Sequence, residues 1–269
     1  MNNIVANFEQ ILEFAKSYGL PLTKKRAILR EYLQSKILEI IYQQKVSLNL
    51  FFVGGTSLRL LRGLDRFSED LDFDFVDTES LQIDTLMNNL VKQLKQENIQ
   101  VDFYRNKTEK RVYYELRFKD LLYELGISSN PQEKLMIKFD FENFWQEQKR
   151  EVVLFNRYGF LTEMVTVPLD QILVQKLFAY LNRKQTLPRD IYDIVWLYSQ
   201  GARVDWEYVK ANHLPKYFLK EALIKFQQEE KNLRLLRRKL RPFLVNETNV
   251  EKLSFFPKLI TQLLKQSNN

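Results

Sequence analysis

The stretch LNLFFVGGTSLRLLRGLDRFSEDLDFDFV, residues 48–76, decides how the rest of the chain is read. It opens on LNLFFV (48–53), an apolar run suited to a buried strand, meets two glycines, and enters TSLRLLRG through a hydroxyl pair at helical spacing. A second strand signal follows at LDFDFV (71–76). Successive strand side chains point to opposite faces, so Asp70, Asp72 and Asp74 share one face and Leu71, Phe73 and Phe75 the other. The apolar face explains itself as core. The acidic face sets like charges ~6.6 Å apart along the strand, a spacing that gains from a divalent cation and suits paired metals ~3.5 to 4 Å apart. A solvent-facing acidic edge strand satisfies the same pattern. Gly54 and Gly55 likewise suit either a tight turn with Thr56 or Ser57 as helix cap, or a backbone cradle for phosphate at a helix N-terminus.

Further strand signals lie at VDFYR (101–105), RVYYELRF (111–118), LLYELGIS (121–128) and LMIKFDFE (135–142). They imply a mixed, largely antiparallel sheet. The first forty-odd residues read as helices, with Ile11, Phe14 and Ala15 at helical spacing and Thr23 placed to cap a second segment; an amphipathic helix is expected near Ser80 to Gln96. In LMIKFDFE, Lys138, Asp140 and Glu142 share a face opposite Ile137, Phe139 and Phe141, so a neighbouring strand could bring Asp140 beside the first carboxylates. After residue 167 the pattern turns helical, with Pro168 and Pro188 where first-turn prolines are tolerated and Gly201 where a helix stops. The expected class is α+β: N-terminal helices and a core sheet over 1–167, then a helical region over 168–269. No Gly/Ser linker or repeat divides the two, so the helical region is expected to pack on the core.

Composition narrows the chemistry. The chain of 269 residues has no cysteine and a single histidine, His213, which excludes disulfides, thiolate sites and His-based zinc clusters. Any metal is held by carboxylates. Glu9 and Glu13 interrupt the apolar pattern at the N-terminus, and no stretch approaches a membrane span of ~20 apolar residues, so a cytoplasmic location is expected. The formal charge of +7 falls entirely after Trp206, where thirteen Lys/Arg meet six Asp/Glu. Such asymmetry suggests an anionic partner, although solvated Lys-rich helices are common.

A strand, GG-T/S, a short helix and a strand with Asp-x-Asp is the arrangement of the nucleotidyltransferase superfamily. GGTSLRLL followed by RFSEDLDFDF resembles the signature of its AbiEii branch, the toxins of type IV toxin–antitoxin and phage-defence systems that include the MenT-like proteins. The resemblance implies a nucleotidyltransferase-like sheet flanked by helices. It implies that Gly54, Gly55, Thr56 and Ser57 hold a triphosphate, with Arg59, Ser68 and Lys138 as further nucleotide contacts. Asp70 and Asp72 would carry Mg²⁺ (or Mn²⁺), and Asp140, a third carboxylate on a later strand, would join them and act as general base, with Glu142 as its competitor.

PLDQILVQKLFAYLNRKQTLPRDIYDIVWL (168–197) is similar to the family's later motif, a helix with a lysine followed by an Arg-Asp-x-x-Asp helix. Lys176 would meet phosphate charge, and Asp190 and Asp193 share a helix face as nucleotide-site candidates; pairing of Arg189 with Asp193 at i,i+4 is the structural alternative. The implied reaction moves an NMP from an NTP to a hydroxyl acceptor, RNA and the tRNA 3′ end first among them, with a cognate antitoxin as partner. Arg234, Arg237, Arg238, Lys239 and Arg241 would grip the acceptor's backbone. A module that keeps the fold for nucleotide or partner binding without catalysis is the alternative.

Overall fold

The computed structural model describes residues 3–76, 80–107 and 111–266, which cluster into two compact units. The first comprises residues 1–63, 67–144 and 151–166, and the second 64–66, 145–150 and 167–269.

In chain order the first unit contains α1 (Asn3–Ala6), α2 (Phe8–Ser17), α3 (Lys25–Tyr42), β1 (Leu50–Val53), α4 (Gly54–Arg62), β2 (Leu71–Phe75), α5 (Ser80–Gln96), β3 (Asp102–Lys107), β4 (Arg111–Phe118), α6 (Leu121–Glu124), β5 (Leu135–Glu142), β6 (Glu151–Arg157) and β7 (Phe160–Thr166). Five strands form one sheet in the order β1-β2-β5-β4-β3, and β6 and β7 form a separate hairpin. The β2–β5 pair is parallel and the other pairs in the five-stranded sheet are antiparallel, giving the expected mixed sheet.

Alternation decides the two faces. Phe52, Phe73, Phe141, Tyr114 and Phe103 form a chain of ring contacts across all five strands, with centroids 5.4, 5.0, 5.7 and 5.5 Å apart. Such contacts add about 0.5–1.5 kcal/mol each to burial. Asp84 of α5 accepts the Tyr114 hydroxyl at 2.6 Å, tying that helix to the same face. The opposite face carries the polar side chains: Lys138, Asp140 and Glu142 on β5 are only partly buried, between buried Ile137, Phe139 and Phe141.

LLYELGIS, expected as a strand, instead begins with the single turn of α6. Leu121 and Leu122 are both buried, which an alternating strand facing one core cannot arrange, and Gly126 at φ +62° reverses the chain towards β5. Thr23 lies inside a 3-10 turn (Leu22–Lys24) and does not cap α3, which has no side-chain cap bond at Lys24.

The second unit holds α7 (Leu169–Asn182), α8 (Pro188–Ser199), α9 (Trp206–Ala211), α10 (Phe218–Glu229), α11 (Leu233–Leu240) and α12 (Phe256–Gln266). Pro188 stands at the first position of α8, where its missing N–H costs nothing. The apolar sides of α7, α8, α10 and α12 meet around Tyr180, Phe226 and Phe256, the last two stacked at 5.0 Å. The segment Leu64–Arg66 belongs to this unit through Asp65, which accepts from Tyr192 at 2.8 Å, Asn249 at 2.6 Å and Lys252 at 2.7 Å. Among the described residues no helix is long and apolar enough to cross a membrane.

Candidate active site

Parallel pairing of β2 with β5 sets Asp72 directly opposite Asp140 and Asp74 opposite Glu142. The choice between Asp140 and Glu142 as neighbour of Asp72 is thus made by register, at a strand separation of ~4.8 Å. On the other side of β5, Tyr113 stands opposite Asp140. Burial raises the Tyr113 phenol well above its usual range; its bond to Glu115 and the charges of Glu115, Asp140 and Asp70 add to the rise. Asp70 lies just before β2, and its charge also reaches Arg30, which donates to Glu69 at 2.8 Å.

Gly54 follows directly on β1, with φ at +75°, and a Cβ there would lie 2.1 Å from Asp72 Oδ2. Glycine is therefore required twice over: for a left-handed backbone and to leave room for the carboxylate. The N–H groups of the first turn of α4 lie where a helix has no acceptor of its own, which suits an anion beside Asp72. The hydroxyls of that turn point elsewhere. Thr56 donates to the Asp70 carbonyl, pinning the entry of β2 to α4. Ser57 is buried with its Oγ 3.3 Å from Thr166 Oγ1, which donates to the Phe52 carbonyl. Any contact of these two residues with phosphate runs through the backbone.

Arg59 is drawn into the core, where its Nε donates to Glu31 at 2.7 Å. Glu31 also accepts from Arg157 at 2.8 Å and Tyr158 at 3.2 Å, a hub that tertiary packing alone reveals. Ser68 is half-buried, its carbonyl 3.3 Å from Gln34 Nε2. Lys138, opposite Glu115, is half-buried on the face of Asp140.

Asp70, Asp72 and Asp140 do not form a ready three-ligand cage: among the described residues no three acidic, His or Cys side chains converge to hold a metal. Asp72 and Asp140 are the pair whose placement and hard oxygens fit a divalent cation such as Mg²⁺.

In the helical unit, Asp193 is fully buried and receives Arg66 through two bonds of 2.7 and 2.6 Å, and Lys176 at 2.8 Å. Burial raises the Asp193 carboxyl, but Arg66 and Lys176 more than offset it and hold it below its usual value. Asp190 forms an ion pair with Arg183 at 2.7 Å. Arg189 lies over the Phe243 ring at 4.7 Å, so the ion pairs of Asp193 come from Arg66 and Lys176 and not from the neighbouring turn. Arg66 escaped the sequence reading because one basic residue in a polar loop carries no periodic signal. Tyr113 and Glu115 were reachable, since RVYYELRF alternates as clearly as LMIKFDFE.

Arg234, Arg237 and Arg238 of α11 line a cleft of about 640 Å³ together with Arg241 just after the helix, Lys231 and Glu251. Arg237 bonds Glu251 and Ser254, each at 2.7 Å. Lys239 is exposed and is not part of the lining.

The fold is shared with solved structures. JHP933 from Helicobacter pylori aligns with a TM-score of 0.54 at 20% identity, covering 90% of this chain and 95% of that one. MenT4, a nucleotidyltransferase toxin from Mycobacterium tuberculosis, aligns with a TM-score of 0.53 at 19% identity, covering 94% of this chain and 90% of that one. A comparison with curated protein sequences finds no match. The fold is that of the nucleotidyltransferase toxins. Residues 36–256 match the family described as nucleotidyl transferase AbiEii toxin, type IV TA system, and the chain belongs to that family. Membership makes it a nucleotidyltransferase of the toxin type and implies an NTP substrate and an antitoxin partner; the family generally uses divalent metal ions.

Proposed function

We propose that this protein acts in the cytoplasm, moving a nucleoside monophosphate from an NTP to a hydroxyl at the 3′ end of an RNA, tRNA first among the candidates, with Mg²⁺ or Mn²⁺ as the working ion. The observation that carries this reading is the cross-strand pair Asp72–Asp140 beside the first turn of α4, with Gly54 leaving room for the carboxylate. The acceptor oxygen attacks the α-phosphorus, the bond from the α-phosphorus to the bridging oxygen breaks, and pyrophosphate leaves. Asp72 and Asp140 would hold a divalent ion, whose charge would offset that of the phosphates, and Asp70 at the strand entry would add its charge to the acidic face. Asp140 takes the acceptor's proton. The backbone N–H groups of Gly54, Gly55, Thr56 and Ser57 orient the β- and γ-phosphates, while Thr56 and Arg59 brace the seat from behind and Ser68 and Lys138 border it. The motif resemblance of 168–197 adds Lys176, whose ammonium, fixed by Asp193, is the charge we assign to the leaving pyrophosphate, with Asp190 on the neighbouring helix.

The arginine cleft of α11 suits the acceptor's phosphodiester backbone. The test is incubation of the purified protein with each of the four labelled NTPs, Mg²⁺ and total RNA. Label entering RNA from one preferred NTP supports the proposal. No label from any NTP, with RNA and metal both present, overturns it.

A further inference from the structure

The polar face of the sheet extends past the carboxylates. On β4 the alternation that brings Tyr113 opposite Asp140 continues through Glu115 to Arg117, and on β3 Tyr104 stands opposite Glu115. The Arg117 guanidinium lies 3.9 Å from the centroid of the Tyr104 ring, and that ring is 43% exposed. Arg117 Nε bonds one oxygen of Glu115, and the Tyr113 hydroxyl donates to the other at 2.9 Å. Glu115 is buried, so the stacked pair is anchored from below by a fixed carboxylate. Burial raises the Glu115 carboxyl; Arg117, Tyr113 and Lys138 outweigh this and keep it ionised below its usual value. On β5, Met136 stands opposite Arg117 and is 41% exposed. A ring, a guanidinium and a thioether thus share one corner of a face that is otherwise acidic or mixed.

The order of strands gives this corner a direction. Gly54 opens α4 at β1, the carboxylate pair occupies β2 and β5, and the Tyr104–Arg117 pair occupies β3 and β4. At a strand separation of ~4.8 Å, Tyr104 lies roughly 10 Å across the sheet from the strand of Asp140. That is a distance one nucleoside can cover. A nucleotide with its β- and γ-phosphates at α4 and its α-phosphate at Asp72 and Asp140 extends its nucleoside over β4 and β3, where it meets a π-surface.

We propose that Tyr104, backed by Arg117, is the stacking platform for the base of the incoming nucleotide, a role that rests on the transferase reading above. Stacking on an exposed ring accepts any base and grows with its π-area, so the platform favours a purine and leaves finer choice to the groups at its edge.

The experiment is calorimetry with ATP, CTP, GTP and UTP, with inorganic tripolyphosphate as the control ligand, alongside the transfer assay. Tyr104→Ala is expected to weaken binding of the preferred NTP by about tenfold or more and to leave tripolyphosphate binding unchanged. Tyr104→Phe, which keeps the ring, should restore NTP binding. If Tyr104→Ala binds the NTP as the parent does, the platform is overturned and the transferase stands; an accompanying rise in KM for RNA would move the ring to the acceptor. Equal losses for NTP and tripolyphosphate would assign Tyr104 a structural role and also overturn the proposal. If the parent protein binds none of the four NTPs, the platform and the transferase reading fall together.

Discussion

Two acidic motifs look alike in the sequence and differ in the fold. Asp72 and Asp140 stand opposite each other on a half-buried face, with Asp74 and Glu142 beside them, so that β2 and β5 gather carboxylates across a parallel pair. Asp193 is buried in the helical unit between Arg66 and Lys176, which hold its charge with three bonds between 2.6 and 2.8 Å. The first set shares one sheet face through strand register, whereas the second is a single carboxylate fixed between two cations. On the proposed reading, the sheet face is the one that meets the nucleotide, and the Asp193 cluster fixes a helix and the side chains it orients.

The sharpest way to break the comparison is Gly54→Ala. A Cβ 2.1 Å from Asp72 Oδ2, on a backbone at φ +75°, displaces the carboxylate or the helix start. Transfer should fall by about a hundredfold or more, since misplacement of ~1 Å at a reacting centre costs that much. A single-turnover assay that finds the parent rate would separate Gly54 from the chemistry.

Asp193→Asn should instead act on stability. Removing the charge between Arg66 and Lys176 leaves two cations short of their counter-ion and should cost about 3–5 kcal/mol, measured by urea unfolding. The sign with pH follows from the depressed carboxyl. Its contribution is fully present above the ordinary value of 3.8 and is lost as pH falls below that, through the folded value. The parent should lose stability in that acid window, and the Asn variant should show a flatter acid limb. A parallel acid limb in both proteins would place the acid sensitivity elsewhere.

The smallest effect belongs to a third charged region, the cleft of α11. The variant that probes it replaces Arg234, Arg238 and Arg241 with Gln and keeps Arg237, which bonds Glu251 and Ser254. Each phosphate contact contributes ~0.7 to the salt slope for single strands and ~0.9 for duplex, so the slope for RNA binding should flatten by roughly 2. KM for RNA should rise and KM for NTP should hold. An unchanged slope would make the cleft a solvated surface and move the acceptor to another face.

The two faces of the sheet were legible in the sequence, the contrast between the two acidic motifs was not, and the unread part has a physical cause. Alternation in LDFDFV and LMIKFDFE marks which side chains face the core, because one face is apolar and a one-residue slip would bury carboxylates. Which residue of β5 faces Asp72 is not local: the parallel register is set by packing of elements far apart in the chain, and only the structure puts Asp140 there. In LLYELGIS, high β-propensity lost to the need to reverse the chain after β4. Ser57 and Thr56 read as phosphate contacts by type, yet their hydroxyls serve Thr166 and the Asp70 carbonyl, partners more than ten residues away.

The most direct test of the central claim measures transfer of labelled NMP to RNA and melting temperature together, on Asp72→Asn and Asp193→Asn. We predict that Asp72→Asn loses transfer by roughly a thousandfold and melts within a degree or two of the parent or slightly above it, because a like charge has been removed from the acidic face. We predict that Asp193→Asn melts well below the parent. Parent-level transfer by Asp72→Asn in a folded protein would contradict the account, whatever the melting temperatures.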